Sequence, residues 1–243
     1  MSSNYTQVNH AYSIEQEVQF LDCVLPPPIS FLSKDNVYSI KYANDEKGKI
    51  EEESTQALCR ICCPARVRPS VNKISFEGEN YEATKEFRLG SCITFLWCAG
   101  FRPDIVVRKS GNVVGSVVMP CCPMFLCKLE LQVFKGENRD ESDLLWTLKR
   151  CLCNCHVILG KVCGCCCAPA ATMKVEVVDK NGTAVGAVEK SHFGAINECF
   201  TMADKYNFDF PTEDADERAL FLAAIEFMDL LYFQFNYWGS GTI

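Results

Sequence analysis

The chain has 243 residues, enough for one sizeable core or two small ones. It is 48% hydrophobic and 23% charged, with 16 Phe and 8 Tyr, which excludes the aromatic-poor, charge-rich profile of a disordered chain. A formal net charge of -7 argues against sequence-independent nucleic-acid binding, which needs Lys and Arg to neutralise phosphates, so no nucleic-acid partner is expected.

Met1 to Gln7 carry no apolar stretch of the signal-peptide kind. A cytosolic chain is therefore expected, with its 17 cysteines held as thiols and not as a disulfide framework. Residues 1–30 read as a flexible arm. Pro26, Pro27 and Pro28 form a short polyproline stretch that neither a helix nor a central strand tolerates, and this stretch offers a docking point for a protein partner.

From Phe31 onward the pattern is strand, turn, strand. Val37 to Tyr42 alternates, and a polar turn through Asp45 and Gly48 follows. Ile105-Val106-Val107 leads through Ser110-Gly111-Asn112 into Val113 to Val118. Leu129 to Phe134 ends in Lys135-Gly136-Glu137-Asn138. Lys174 to Val178 leads through Asp179-Lys180-Asn181-Gly182 into Ala184 to Val188. Asn-Gly between such runs is a hairpin signal, because a type I′ turn needs positive φ at both central residues. Val114 to Val117 and Val185 to Val188 echo each other, as either a duplication or a meander would produce. Successive hairpins predict an antiparallel sheet or barrel.

Two helices interrupt the strands. Gly194 to Ala203 reads as short and mixed. The last, over about 215–237, opens on Asp214 with Glu217 three residues on, a capping-box arrangement, and is stopped by Gly239. Ala219 to Phe235 is apolar almost all round, so it is either a core helix or a membrane span. Its length falls short of the ~20 apolar residues of a span. Glu226 and Asp229 lie mid-segment, three apart on one face, where a bilayer centre costs roughly 2.5–3.5 kcal/mol per carboxylate. A helix buried inside the barrel, with polar partners for both, is the preferred reading.

The ordered set of motifs resembles the phospholipid scramblase family. It comprises Val37 to Lys41, Cys59 to Arg66, Cys163 to Cys167, Gly186 to Gly194, Phe200 to Pro211, and the terminal apolar helix with Asp229. The likeness runs from roughly Phe31 to Trp238, and makes 31–243 one domain. It implies a mainly β, tubby-like fold: a closed antiparallel β-barrel around a buried hydrophobic C-terminal α-helix. It also implies a membrane-associated protein with Ca2+-dependent, ATP-independent, bidirectional movement of phospholipids between leaflets; palmitoyl groups would hold it at the cytoplasmic face of the plasma membrane, and because a barrel filled by its own helix gives headgroups no polar path, homo-oligomers are expected. The alternative is a palmitoylated, membrane-tethered adaptor that binds lipid or protein and translocates nothing.

The family's calcium segment falls on Met202 to Glu213. The implied donors are Asp204, Tyr206, Asp209 and Glu213, weakened because Met202 supplies no hard oxygen at the first position. Clustered thiols near a membrane are acyl acceptors, which makes Cys92, Cys98, Cys121, Cys122, Cys163, Cys165, Cys166 and Cys167 lipidation candidates. Cys151, Cys153, Cys155 and His156 offer a thiolate and imidazole set suited to Zn2+, although not with the paired spacing of known zinc ribbons. The bland alternative is that these cysteines are small buried hydrophobes. No phosphate loop, Ser-His-Asp order or zinc-hydrolase signature is present, and three histidines leave little general-base chemistry, so covalent catalysis is not expected.

Overall fold

The computed structural model describes residues 11–17, 36–43, 45–53, 69–86, 103–120, 128–151, 173–191 and 205–232. These form twelve strands and one long helix. In chain order they are β1 (Tyr12–Gln16), β2 (Val37–Tyr42), β3 (Asp45–Glu53), β4 (Ser70–Phe76), β5 (Glu79–Lys85) and β6 (Asp104–Lys109). There follow β7 (Asn112–Val118), β8 (Lys128–Lys135), β9 (Leu144–Cys151), β10 (Met173–Asp179), β11 (Ala184–Ser191), β12 (Lys205–Phe208) and α1 (Ala215–Tyr232).

Each strand pairs antiparallel with its sequence neighbours, and β1 closes the ring by pairing with both β2 and β12. Ile14 sits opposite Ile40 on one side and Tyr206 on the other. This corrects the reading of residues 1–30 as an arm: Tyr12–Gln16 is a barrel strand. Its short alternating pattern is too brief to stand out, and its two neighbours in the sheet are distant in sequence. The Pro26–Pro28 stretch lies outside the described residues, as does the expected Gly194–Ala203 helix.

Period-2 patterning sends alternate residues inward. In β4, Ser70, Asn72, Ile74 and Phe76 are buried, and in β5 Tyr81, Ala83 and Lys85 are. The turns follow residue chemistry. Glu77-Gly78 and Ser110-Gly111 both take positive φ at their two central residues, as a type I′ turn requires. Asn181-Gly182 does not: only Gly182 has positive φ. There Asp179 accepts the N–H groups of Asn181 and Thr183 on its Oδ1, and its backbone carbonyl accepts that of Gly182. This longer Asx-type turn comes with a register shift between Val177 and Val178.

The helix fills the barrel. Every residue from Ala219 to Tyr232 is buried, and 18 residues at ~1.5 Å span about the same length as an eight-residue strand at ~3.3 Å. Close approach to β7 depends on Gly115, where an added Cβ would lie 2.8 Å from Leu220 Cδ1 and 2.2 Å from the Phe134 carbonyl oxygen. Its sequence echo Gly186 meets nothing nearer than 4.0 Å. The two similar segments therefore play different parts. On the helix's early turns Phe221 packs against Trp146, Phe208 and Phe210 at centroid separations of 5.9, 5.7 and 6.0 Å.

Candidate functional site

The helix enters the barrel through a polar collar. Asp214 Oδ1 accepts the Glu217 N–H at 2.9 Å, the N-cap read from sequence. The reciprocal half of the box is relayed. Thr212 Oγ1 accepts the Asp214 N–H and donates to Glu217 Oε2 at 2.8 Å. Tyr81 donates its hydroxyl to Asp216 at 2.9 Å, Lys109 reaches the same carboxylate at 3.3 Å, and Lys135 pairs with Glu217 at 2.8 Å. Burial, then the Asp216 hydrogen bond, pushes the Tyr81 hydroxyl up to about 12. Arg218 donates to the Thr212 carbonyl and lies over the Phe210 ring at 5.1 Å. Acidic residues in the first turn also suit the helix macrodipole.

Deeper in the barrel lie the two carboxyl groups that mark the helix out. Asp229 is 0% exposed and Glu226 3%. Tyr38 from β2 donates to Asp229 Oδ2 at 2.8 Å, and Tyr206 from β12 donates to Asp229 Oδ1 at 2.6 Å. Asn72 from β4 donates its amide to Glu226 Oε1. Burial pushes the Tyr38 hydroxyl well above the ordinary tyrosine range, and Asp229 and Glu226 push it the same way, so it stays a neutral donor. Ser70 Oγ and Asn72 Oδ1 are buried without a hydrogen-bond partner. Three wall residues from alternate strands on one side of the barrel, β12, β2 and β4, thus clamp one helix face. Among the described residues no helix is long and apolar enough to cross a membrane. The preference for a barrel-core helix over a span is the arrangement seen through Tyr232, where the described part of the expected 215–237 helix ends.

The described ones among the expected calcium donors, Tyr206, Asp209 and Glu213, are not drawn together. Lys205–Phe208 is a strand, so Tyr206 and Phe208 face inward and Asn207 faces out. Tyr206 is fully buried with its hydroxyl committed to Asp229. Asp209 Oδ1 accepts the Ala11 N–H at 2.9 Å. Glu213 is 97% exposed and pairs with Arg218. Asp204 and Met202 lie outside the described residues. No group of three or more His, Cys, Asp or Glu side chains among the described residues is placed to hold a metal.

Of the cysteine candidates, Cys151 ends β9. Cys92, Cys98, Cys121, Cys122, Cys153, Cys155, Cys163, Cys165, Cys166, Cys167 and His156 lie outside the described residues. Sequence reasoning anticipated polar partners for Glu226 and Asp229 without naming them. The usable signal was the alternation of β2 and β4, which turns Tyr38 and Asn72 inward.

A family model described as Scramblase matches residues 9–235, from before β1 to beyond α1. Rat phospholipid scramblase 1 is 25% identical over 228 residues, covering 91% of this chain and 59% of that protein. Human phospholipid scramblase 1 is 23% identical, with 91% and 62% covered. Human phospholipid scramblase family member 5 is 24% identical over 225 residues, with 91% and 73% covered. The chain thus spans about three fifths of the length of the phospholipid scramblase 1 proteins it matches. No solved structure matches it.

Proposed function

The chain belongs to the scramblase family, and from that premise we propose that it moves phospholipids between membrane leaflets, in both directions and without ATP. The observation that carries this reading is the extent of the family match. It takes in the whole barrel and the core helix, so the barrel with its helix is the working unit and not an appendage to one.

The filled barrel constrains how lipid would move. With α1 occupying the core from Ala219 to Tyr232, a headgroup has no polar path along the barrel axis. Lipid passes outside the barrel, along a surface built by several copies or through bilayer packing that the protein disturbs. Acyl chains on Cys92, Cys98, Cys121, Cys122 or Cys163 to Cys167 hold the protein at the cytoplasmic face of the plasma membrane, and two chains suffice for stable anchoring where one is marginal. Calcium dependence is the further part of the proposal, with Asp204, Asp209 and Glu213 as donors. Tyr206 contributes none, because its hydroxyl serves Asp229. As they stand, the described donors Asp209 and Glu213 are engaged by the Ala11 N–H and Arg218 and do not converge on a single ion.

The same filled core favours a second reading, a membrane-tethered adaptor that binds lipid or protein and translocates nothing. Purified protein in liposomes carrying a dye-labelled lipid separates the two. Dye-lipid moving to the outer leaflet, accelerated by Ca2+, supports scrambling. Vesicle binding with no transfer refutes it in favour of the adaptor. Transfer that ignores Ca2+ up to millimolar concentration, or survives Asp209→Ala with Glu213→Ala unchanged, retains scrambling and removes the calcium switch.

A further inference from the structure

The outer wall of the barrel carries a cavity of about 320 Å³, at the small end of the range for ligand sites. It lies where the sheet loses its pairing. β4 stays paired with β5 as far as Phe76 and Glu79, and β6 with β7 as far as Lys109 and Asn112. Between them the β5–β6 ladder stops at Glu82 and Arg108, and a β-bulge interrupts the β6–β7 ladder between Val107 and Arg108. A bulge adds local twist and re-aims the side chain beside it, which leaves a gap between β5 and β6 toward the Ser110-Gly111 turn. Strand parity turns the lining outward. Asn72, Ile74, Tyr81, Ala83 and Val107 are buried, so their neighbours Lys73, Glu82 and Arg108 point away from α1.

The charges around this gap are not all paired. Lys73 is bound to Glu53, and the neighbouring Lys109 is held by Glu79 at 3.1 Å and by Asp216 at 3.3 Å. The Tyr81 hydroxyl is committed to Asp216. Arg108 and Glu82 face each other on adjacent strands, the register at which opposite charges ordinarily meet. No ion pair joins them, and the half-buried Arg108 has no hydrogen-bond or ion-pair partner among the described residues. Glu82 accepts the Thr84 hydroxyl at 3.3 Å and is otherwise open among the described residues. A free guanidinium and a nearly free carboxylate thus line one cavity, with the Ser110 hydroxyl beside them.

We propose that this cavity binds a phosphate ester bearing a primary ammonium group, the chemistry of ethanolamine phosphate, with the phosphate on Arg108 and the ammonium on Glu82. The inference deepens the reading of the chain as a mover of phospholipids and rests on it for a lipid source, since the same group exists free in solution and at the head of a lipid. A guanidinium matches two phosphate oxygens with two parallel N–H bonds, and an ammonium offers three donors to a carboxylate. A simple anion in the gap is repelled by Glu82, and a simple cation by Arg108. A zwitterion satisfies both. Choline phosphate has no N–H to give Glu82, and serine phosphate sets a second carboxylate against it. The site lies on the outer wall, the surface left to lipid when α1 fills the core from Ala219 to Tyr232.

The test titrates the full chain, isotopically labelled for NMR, with O-phosphoethanolamine and follows the amide signals of Ser110 and Gly111, which line the cavity. Ethyl phosphate and phosphocholine are the comparison ligands. Phosphoethanolamine should bind at least fivefold more tightly than either. Arg108→Gln should weaken it at least tenfold, and Glu82→Gln should bring phosphoethanolamine and ethyl phosphate within twofold of each other. Both side chains lie on the solvent side of the wall, so the variants should melt with the parent chain. No shift at Ser110 and Gly111, equal binding of ethyl phosphate by the parent chain, or binding that survives Arg108→Gln overturns the proposal. Vesicles separate the two sources. Tighter binding to phosphatidylcholine vesicles containing phosphatidylethanolamine than to phosphatidylcholine alone, with the excess lost in Arg108→Gln, identifies the lipid headgroup. Phosphoethanolamine binding without that excess keeps the site and overturns the lipid source. A chain that scrambles lipid but does not bind phosphoethanolamine loses this inference alone. A chain that binds it and moves no lipid loses only the scrambling reading.

Discussion

Replacing Tyr206 by Phe deletes one of the two tyrosine hydroxyls that hold Asp229 in the barrel while leaving the ring and its packing in place. Asp229 is fully buried, so water does not substitute for the lost donor. Removing one hydrogen bond to a buried charged group costs about 1.5–3 kcal/mol. In a chain of this size that lowers the melting temperature by roughly 3–12 °C. Tyr38→Phe removes the partner bond at 2.8 Å and costs a similar amount. The decisive assay is a double-mutant cycle by urea denaturation, following tryptophan fluorescence. In an Asp229→Leu background, Tyr206→Phe should cost less than about 0.5 kcal/mol, because the acceptor is gone. If Tyr206→Phe costs the same in both backgrounds, the hydroxyl does not work through Asp229, and the account of how the helix is clamped is wrong.

Gly115→Ala should destabilise by about 1–3 kcal/mol or more, since its Cβ would collide with the Phe134 carbonyl and Leu220, whereas Gly186→Ala should stay within about 0.5 kcal/mol or gain slightly; denaturant midpoints compare the pair directly. Gly111→Ala, at φ +85° in the β6–β7 turn, should cost about 1–2 kcal/mol in the same measurement through backbone strain alone, because nothing surrounds the new methyl group. Glu15 predicts an acid-side pH effect. Burial raises its pKa, but hydrogen bonds from Lys205 and Lys41 outweigh this and leave it below the ordinary value of 4.5. The stability it lends is therefore fully present above about pH 4.5 and is lost as pH falls through the lowered folded value. Melting temperatures between pH 6 and 3 should fall less steeply for Glu15→Gln than for the parent chain, with no difference in slope above pH 6.

Local chemistry was legible from the chain alone. Alternation in Val37–Tyr42 and Lys174–Val178 showed strands, because a pleated backbone turns neighbouring side chains to opposite faces whatever the fold. Asp214 announced the start of the helix, and its side chain caps the Glu217 N–H. Glu226 and Asp229 argued against a membrane span, because burying two carboxylates demands partners wherever the helix lies.

The partners themselves were decided only by closure of the barrel. Tyr12–Gln16 is too short to declare itself, and it becomes a strand because the edges of β2 and β12 leave hydrogen-bonding groups open on both sides. Tyr206 looked like a calcium donor by its place in a motif, yet strand parity and the register of β12 turn its hydroxyl inward to Asp229, 23 residues further on. Asn181-Gly182 looked like a type I′ turn, and the Asp179 side chain and a bulge made it another. The meeting of the β2–β3, β4–β5, β6–β7, β8–β9 and β10–β11 turns at the end where α1 enters is invisible along the chain, where the two kinds of connection alternate. It exists because an even, sequential, antiparallel ring sorts alternate connections to opposite poles, which no local pattern can do.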